Sequence, residues 1–342
     1  MSTRKSGLYN FSSPSVVEIE VPIAGQSITI QYKPEGFIAN QVAPICPVTN
    51  LATKILFYSK ANMFTLQDND TYIDEQGQMR IFDYEIYSKT VNPRTIGGGE
   101  QVDDFIKDIS MQPGQIPIQP DIDAAQHAMI RMDLKRELLV SQAIYNNTWA
   151  DGTTGGTLPS AGTGGWARTD TSNSFITDVI KAEEYILSTT GKKPNVLVMD
   201  YATFKSQNFN PVVSDKIKYT QRAVTTAELL ADLLQLDEVL VGEAIYTNTP
   251  YNKTNTQAFN SKQIWSPCGT NLGNCFLYHR APPGLRTVAA LFQFRIPILG
   301  QMTYVRSYRD EPRHKTVYEI MEKIDTTPLA TDIGYAWSRT AA

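Results

Sequence analysis

Residues that could carry out catalysis or bind a metal are few in this chain, and they are scattered. The three histidines, His127, His279 and His314, fall in different predicted elements. A zinc site needs about three or four ligands that converge on one point, and His127 has only Asp123 one helical turn before it. No Gly-x-Ser-x-Gly motif presents a nucleophilic serine. We therefore interpret the histidines as structural.

The three cysteines, Cys46, Cys268 and Cys275, form an odd set. The separation of Cys268 from Cys275 matches no usual zinc or redox motif. We interpret them as reduced thiols, and a disulfide or a fortuitous metal site stays open as an alternative at this point. Gel mobility under oxidising and reducing conditions would distinguish these states.

Adjacent carboxylates occur at Asp103–Asp104, Glu183–Glu184 and Asp237–Glu238. Such pairs could act as general acid and base or bind a hard cation. Adjacent positions on a helix or strand do not face each other, however, so we interpret them as solvated faces or as ion pairs with a neighbouring subunit. The sequence thus predicts no catalytic, cofactor-binding or metal-binding residue, and no enzymatic activity.

Two glycine clusters could in principle approach a phosphate or bend the chain. Gly152–Gly156 follows a predicted helix and lacks the Gly-Lys-Ser/Thr ending of a phosphate-binding loop, so it is interpreted as a flexible loop. Gly97–Gly99 is predicted to form a hinge, because glycine adopts backbone angles that other residues resist.

The composition argues against a protein that grips nucleic acid. The 342 residues include 35 Asp and Glu against 31 Lys and Arg, a formal net charge of -4, whereas phosphate binding requires clustered Lys and Arg. No run approaches the roughly 20 apolar residues of a membrane span, and polar residues follow Arg4 and Lys5, where a signal peptide would be apolar. We expect a soluble, cytosolic product with no membrane partner.

Two extended segments are predicted in the first part of the chain. The alternating runs Val17–Val21 and Ile28–Tyr32 predict short strands of an arm that gains stability by lying on another surface. The runs Lys54–Tyr58 and Met79–Tyr87 predict a long hairpin with a mobile tip. Because an isolated hairpin is marginally stable in water, it is expected to rest on a neighbouring chain.

A long helix is predicted from Pro120 to Trp149, with Asp121 or Asp123 as its cap. At 1.5 Å per residue it would be about 43 Å long. The loop rich in Gly, Thr and Ser follows it.

The region from about 170 to 249 alternates helix and strand. The predicted elements are helix Phe175–Thr189 capped by Ser174 and ended by Gly191, strand Asn195–Met199, capped helix Thr226–Leu236 and strand Glu238–Gly242. Four later strands, Asn274–Arg280, Val288–Phe294, Gly300–Arg309 and Thr316–Met321, are expected to pair with the first part of the chain.

Several stretches in order resemble the tailed-phage major capsid proteins of the Hong-Kong-97 fold. Phe37–Val48, FIANQVAPICPV, is similar to the family's Phe-Ile-Ala-x-x-Val-x-Pro-x-x-Pro-Val motif at the end of the arm. The long helix, with Asp133, Lys135, Arg136 and Glu137, resembles the spine helix. Lys193–Met199, Ile217–Thr220 and Leu236–Ala244 are similar to the axial domain of one large group of these coats.

The resemblance implies an α+β fold with an N-terminal arm at 1–50, an extended β-hairpin loop at 51–100, a peripheral domain with a spine helix at 101–169 and 291–342, and an α/β axial domain at 170–290. It implies a structural coat protein that self-assembles as hexamers and pentamers into the icosahedral head shell of a phage virion. The shell would enclose double-stranded DNA without sequence-specific binding.

The implied partners are further copies of the chain, a portal protein, a scaffolding protein and a decoration or cement protein, with assembly in the host cytoplasm. No long helical prodomain precedes the arm, so a separate or removed scaffold is expected. Some members cross-link a Lys to an Asn, and no motif here assigns that chemistry to Lys60 or Lys89.

Two other functions remain open from the sequence. One is an encapsulin-like compartment of the same fold. The other is an α/β enzyme that uses the region from 170 to 249 as a nucleotide domain, which the missing glycine-rich turn after a strand argues against.

Overall fold

The structure is a computed structural model. It describes residues 17–23, 26–32, 36–58, 60, 64, 85–110, 119–150, 166, 168, 174–217, 226–247, 261–266 and 273–338. Within these ranges no helix is both long and apolar enough to cross a membrane.

Helices and strands are interspersed along the described part of the chain. The strands are β1 Val17–Ile23, β2 Gln26–Tyr32, β3 Ile45–Pro47, β4 Thr53–Tyr58, β5 Ile86–Val91, β6 Arg94–Asp103, β7 Val196–Asp200, β8 Glu238–Gly242, β9 Ile245–Tyr246, β10 Lys262–Gln263, β11 Asn274–Tyr278, β12 Leu291–Ile296, β13 Tyr304–Asp310, β14 Lys315–Pro328 and β15 Gly334–Ser338. The α-helices are α1 Ala39–Val42, α2 Asp104–Ser110, α3 Pro120–Tyr145, α4 Ser174–Thr190, α5 Tyr201–Asn208, α6 Pro211–Ile217 and α7 Ala227–Leu234, and single 3₁₀ turns span Glu311–Arg313 and Thr331–Ile333.

The first large sheet is built on β14, a strand of 14 residues. One edge of β14 pairs with β6, and the other edge pairs first with β13 and then with β12, all antiparallel. The short strand β3 adds to β12 in parallel. The predicted strand Thr316–Met321 is therefore confirmed, and it extends further in both directions.

Helix α3 packs along this sheet, with Met129 and Met132 against Tyr318 and Ile320. Its 26 residues make it about 39 Å long. The prediction of the helix is confirmed, but its ends differ from expectation. Gln119 is the N-cap without a side-chain hydrogen bond and Pro120 occupies the first turn, where its missing N–H costs nothing.

The expected caps, Asp121 and Asp123, instead lie inside the first turn of α3, where a carboxylate interacts favourably with the helix dipole. The helix stops at Tyr145, before the predicted Trp149, because the chain turns there to bury the Trp149 indole against Phe276. The indole N–H donates to the carbonyl of Ile144, 2.6 Å away.

The second large sheet has the order β15-β11-β7-β8, with β7 and β8 parallel. Helix α4 ends at Gly191, whose φ of 67° suits a residue without Cβ. The Thr226 side chain accepts from the Leu229 N–H and caps α7. These predicted helices and strands are confirmed, apart from ends that shift by one or two residues. Ser174, the expected cap of α4, is instead the first residue of that helix.

The core of this second layer lies between the sheet and helices α4 and α7. It contains Trp166, Phe175, Ile186, Leu230 and Trp337. After β7 the chain enters α5 directly, because the Asp200 carboxylate accepts from the Thr203 N–H and caps that helix. A glycine-rich turn of the nucleotide-binding kind is thus replaced by an N-cap at this strand end.

The late strands do not all pair with the first part of the chain. β12, β13 and β14 form the first sheet together with β6 and β3, as expected, whereas β11 joins the second sheet. β15, within the segment 291–342, also joins the second sheet, where it pairs with β11. That expectation was wrong for β11, because its five residues are buried on both faces and need a central position.

Two β-hairpins form two-stranded sheets of their own. β1 and β2 pair over the predicted arm strands, which are confirmed as strands. β4 pairs with β5, which overlaps the end of the predicted run Met79–Tyr87 at Ile86 and Tyr87 and continues to Val91. The rest of the Met79–Tyr87 run before residue 85, and the expected mobile tip, lie outside the described residues.

The base of the second hairpin is fixed to the end of β14. The Lys89 ammonium donates to the carbonyl of Pro328 at 2.6 Å, and the Asn92 N–H donates to the Asp325 carboxylate at 2.8 Å. Burial lowers the pKa of Lys89, and the Asp325 charge opposes this change. These contacts hold the end of the hairpin against β14.

Gly97–Gly99 form no hinge, which corrects the sequence prediction. They lie inside β6, paired with Gly99 opposite Glu319 and Gly97 opposite Met321. A Cβ at Gly97 would lie 3.2 Å from the Ile320 carbonyl oxygen, and one at Gly99 3.1 Å from that of Tyr318. These two glycines permit close strand approach, which is the other common use of the residue.

Candidate assembly surfaces and their buried anchor

The three histidines of the chain lie in different parts of the structure. The His127 Nδ1 atom is 3.8 Å from a carboxylate oxygen of Glu100, which also binds Arg131 at 2.7 Å. His279 Nδ1 lies 2.9 Å from the Lys193 carbonyl oxygen, and His314 ends a 3₁₀ turn. Within the described ranges no group of three His, Cys, Asp or Glu side chains could hold a metal ion.

Cys46 and Cys275 are buried free thiols, whereas Cys268 lies outside the described residues. Burial raises the pKa of both thiols, and the nearby Asp200 charge adds to the effect at Cys275. A thiol whose pKa is raised is a poor nucleophile and a poor metal ligand. The reduced state predicted for Cys46 and Cys275 agrees with this environment.

The adjacent carboxylates have partners within the chain. Asp104 binds Arg309 at 2.7 Å, Glu183 binds Lys193 at 3.1 Å and Glu238 binds Arg280 at 2.7 Å. Asp103 accepts from the Phe105 N–H, and Asp237 accepts from the Asn195 side chain. These carboxylates therefore stabilise local structure in a single chain, whereas the sequence prediction was of solvated faces or of ion pairs with a neighbouring subunit.

The segment that carries the FIANQV motif is held in the body through its backbone. Ile38, Ala39, Val42 and Ala43 are buried in one cluster with α3 and the second sheet. The Gln293 amide donates to the carbonyls of Ala39 and Ala43, at 2.9 and 3.0 Å. Buried apolar side chains and backbone carbonyls thus both anchor this segment.

Two further side chains bind carbonyls of the same segment. The Tyr278 hydroxyl donates to Val42 at 2.7 Å, and the Arg280 guanidinium donates to Gln41 at 3.0 Å. Tyr278 is the last residue of β11, and Arg280 lies two residues later in the loop that follows. The anchor therefore couples the start of the body to the second sheet.

Glu137 of α3 occupies the centre of this anchor. One carboxylate oxygen accepts from the Ala39 N–H at 2.5 Å, and the other accepts from the Trp265 indole N–H at 2.6 Å. Among the described residues it forms no ion pair. Burial raises its pKa from 4.5 to about 7, although the two N–H donors oppose the change.

A buried ionic cluster lies beside the anchor and joins α3, β12 and β14. The Arg136 guanidinium contacts Asp133 at 2.5 Å and Glu322 at 3.1 Å, and Arg295 lies 3.8 Å from Glu322. Thr303 donates to Glu322 at 2.6 Å, and Arg295 donates to Asn40 at 2.9 Å. The four charged residues are at most 5% exposed.

The charges of the cluster compensate one another. Burial would raise the pKa of Glu322, but Arg136 and Arg295 outweigh it and leave that pKa below its usual value. Burial lowers the pKa of Arg295 to about 10 and raises the pKa of Asp133. Arg295 is therefore still charged at neutral pH, and the cluster is an electrostatic joint between the helix and the sheet.

The sequence prediction missed Gln293, Arg295 and Glu322. A signal exists, because each is a polar residue at a buried position of a strand. Glu322 lies between Ile320 and Ile324 in the alternating buried pattern of β14. A buried polar residue usually has a specific partner, so this pattern indicates an internal network.

Large apolar side chains are exposed on two elements of the described part of the chain. On helix α2 these are Phe105, Ile106 and Ile109, exposed by 69%, 51% and 38%. On the β4–β5 hairpin they are Leu56, Tyr58, Ile86 and Tyr87. Grouped exposed apolar side chains mark interaction surfaces, whereas isolated ones are common on any protein.

The comparisons with known proteins found similarity to phage capsid proteins. No family model matches the chain. A 66-residue stretch is 32% identical to the major capsid protein of Burkholderia phage BcepMu, and it covers 19% of this chain and 22% of that protein. The match therefore spans about a fifth of the relative's length.

Two solved structures agree over most of the chain. A phage-related protein from Bordetella bronchiseptica RB50 is 18% identical, covers 90% of this chain and 94% of its own, and has a TM-score of 0.64. The capsid structure of cyanophage P-SCSP1u is 11% identical, covers 94% and 93%, and has a TM-score of 0.53. The fold is the Hong-Kong-97-like capsid fold, and the resemblance inferred from the sequence motifs is confirmed.

Proposed function

We propose that this chain is a major capsid protein, a coat subunit that self-assembles into the icosahedral head shell around phage double-stranded DNA. The observation that carries the proposal is the pair of apolar surfaces on α2 and the β4–β5 hairpin, displayed on a capsid fold. A monomer gains nothing from such exposure, whereas permanent assemblies bury roughly 2,000–5,000 Å² per interface. The role is structural, and no catalytic step is assigned to any residue.

The proposed division of the chain follows the fold family. The arm spans 1–50, the extended loop 51–100, the peripheral domain 101–169 and 291–342, and the axial domain 170–290. The pairing of β15 with β11 supports a further detail, in which Gly334–Ser338 return from the peripheral segment to the axial sheet. The anchor around Glu137 then holds the arm's end at the junction of both domains.

The charge balance supports a shell that confines DNA and does not bind it tightly. A formal net charge of -4 leaves no excess of cations to neutralise phosphates. In this proposal the partners are other copies of the chain in hexamers and pentamers, a portal protein, a scaffolding protein and a decoration protein. Assembly takes place in the host cytoplasm, and the product is the virion capsid.

Electron microscopy of particles formed by the chain tests the proposal. We expect closed shells of uniform size when the chain is produced in bacteria alone or together with the other head proteins of its phage. A chain that stays monomeric under both conditions would exclude the coat function. Shells that package a bacterial enzyme and no DNA would favour the encapsulin-like compartment instead.

A further inference from the structure

Helix α5 carries aromatic and basic side chains on one face. Tyr201, Lys205 and Phe209 follow one another at intervals of four residues, so they lie on the same side of the helix and its C-cap. Tyr201 is 40% exposed and Phe209 is 61% exposed. Because grouped exposed rings are unusual on a free surface, this face of α5 is a candidate contact surface.

Each of the two rings has a cation over its face. The Lys205 ammonium lies 5.3 Å from the ring centroid of Tyr201, and the Arg168 guanidinium carbon lies 5.2 Å from that of Phe209. The ring quadrupole attracts a cation at such a distance and restricts its movement. The rings therefore keep two positive charges at defined places on the surface. Arg168, Tyr201, Lys205 and Phe209 are called the α5 patch below.

The patch is built from two separate segments that buried hydrogen bonds hold together. The Ser206 hydroxyl and the Gln207 amide, both on α5, donate to the carbonyl of Trp166 at 2.9 and 2.8 Å. The buried Trp166 indole in turn donates to Asp178 of α4 at 3.0 Å. Arg168 follows Trp166 by two residues, so these bonds place its side chain beside the end of α5.

The two cations of the patch are not neutralised within the described part of the chain. Neither Arg168 nor Lys205 forms an ion pair with a residue of that part, and the carboxylate before α5, Asp200, is fully buried as the helix cap. A third cation lies over a ring elsewhere, Arg306 over Tyr308, but Glu319 binds it at 2.7 Å. The α5 patch therefore combines ordered cations with available positive charge.

The charge of this part of the sequence is also uneven. The segment 201–225 contains four Lys and Arg against one Asp, in a chain whose formal net charge is -4. The next segment, 226–247, contains five Asp and Glu and no Lys, Arg or His. A local positive charge on an acidic chain attracts an anionic partner to one surface only.

We infer that the α5 patch contacts phosphate groups of the packaged double-stranded DNA, with Arg168 and Lys205 as the two contacting side chains. The inference rests on the proposed coat function, and it assigns the exposed face of α5 to the inside of the shell. The bases of a duplex are stacked on each other, so Tyr201 and Phe209 position the cations and do not stack on DNA. Two phosphate contacts in each copy are weak, which agrees with a shell that confines DNA.

Lysine acetylation of assembled heads tests the contact. Empty heads and DNA-filled heads of the unaltered chain are treated with a small acetylating reagent, and mass spectrometry measures the rate at each lysine. We expect Lys205 to react several-fold more slowly in filled heads, because a phosphate covers its ammonium. Lys181 is exposed on α4 and is the control, with equal rates expected in both kinds of head.

Three other results of this experiment would overturn the inference and leave the coat function intact. The first is an equal rate at Lys205 in empty and filled heads. The second is slow reaction of Lys205 already in empty heads, which would mean that a protein surface covers the patch. The third is equal protection of Lys205 and Lys181 by DNA. Absence of heads from the unaltered chain would overturn both proposals.

The salt dependence of DNA binding provides a second test, on the unassembled chain. Fluorescence anisotropy with a short labelled duplex gives the slope of log affinity against log salt concentration. Lys205→Gln and Arg168→Gln should each reduce the size of this slope by about 0.9, the contribution of one phosphate contact. Arg306→Gln removes the same formal charge from a cation that Glu319 already neutralises, so it should leave the slope unchanged.

Unfolding midpoints of the three variants show whether each stays folded. Slopes that do not change in either patch variant would contradict the contact, as would equal changes in all three variants. Failure of the unaltered chain to bind the duplex at low salt would contradict it as well. None of these results bears on whether the chain forms shells, which electron microscopy decides separately.

Discussion

At the scale of single residues, protonation of the buried carboxyl of Glu137 links stability to pH. Its pKa is raised to about 7 in the folded chain from 4.5, because burial disfavours the charge. The folded state therefore binds this proton more tightly than the unfolded state. Its contribution to stability is complete below about pH 4.5 and is lost as the pH rises to about 7.

Glu137→Gln should remove this pH dependence. The free energy of unfolding of the original chain, relative to the variant, should fall between pH 4.5 and 8 by at most about 3 kcal/mol. The variant itself should lose about 1–3 kcal/mol at pH 5, because an amide has one acceptor oxygen for two N–H donors. Urea unfolding of the unassembled chain at several pH values measures both effects, and parallel pH profiles would contradict the assignment to Glu137.

Gly242 is a second residue whose identity is fixed by a neighbour. A Cβ there would lie 2.2 Å from Cγ of the buried Trp265. Gly242→Ala should therefore destabilise the chain by about 1–3 kcal/mol or more, through overpacking and displacement of the indole from Glu137. The control is Gly98→Ala, also within a strand, where no atom lies within 4 Å and stability should be unchanged or slightly higher. Thermal unfolding of both variants decides the point.

At the scale of elements, the anchored segment around α1 depends on β12. Gln293→Ala leaves the buried carbonyls of Ala39 and Ala43 without this donor, at a cost of about 1–3 kcal/mol. Because the loss is local, we expect faster proteolysis within residues 36–48 before the body unfolds. Gln142→Ala, at an exposed position of α3, is the control and should leave the cleavage rate unchanged.

Elements with a strong local signal were predictable from the sequence. The apolar periodicity of α3, α4 and α7 and the caps Thr226 and Gly191 depend only on neighbouring residues. Helix α2 and the contacts at the base of the β4–β5 hairpin were missed. The helix is short with an apolar side exposed, and at the hairpin base Lys89 and Asn92 contact residues more than 200 positions away.

At the scale of the whole molecule, the ionic cluster around Glu322 joins the long helix to the first sheet. Glu322→Gln leaves Arg136 and Arg295 buried with less compensating charge, so we expect a loss of about 3–5 kcal/mol. Glu319 lies on the same strand and pairs with Arg306 at the surface, and Glu319→Gln should cost at most about 1 kcal/mol. Comparable unfolding midpoints for the two variants would show that the cluster does not join the layers.

The sequence by itself determined that the chain contains a long helix and an α/β region, and that its motifs resemble those of phage coat proteins. Those features depend on residue type and local spacing. The tertiary structure alone decided that Glu137 meets Ala39 and Trp265, and that α2 presents its apolar side outward. Periodicity shows that a segment has an apolar face, but only the packing of distant segments determines which face is covered and which is left for another copy.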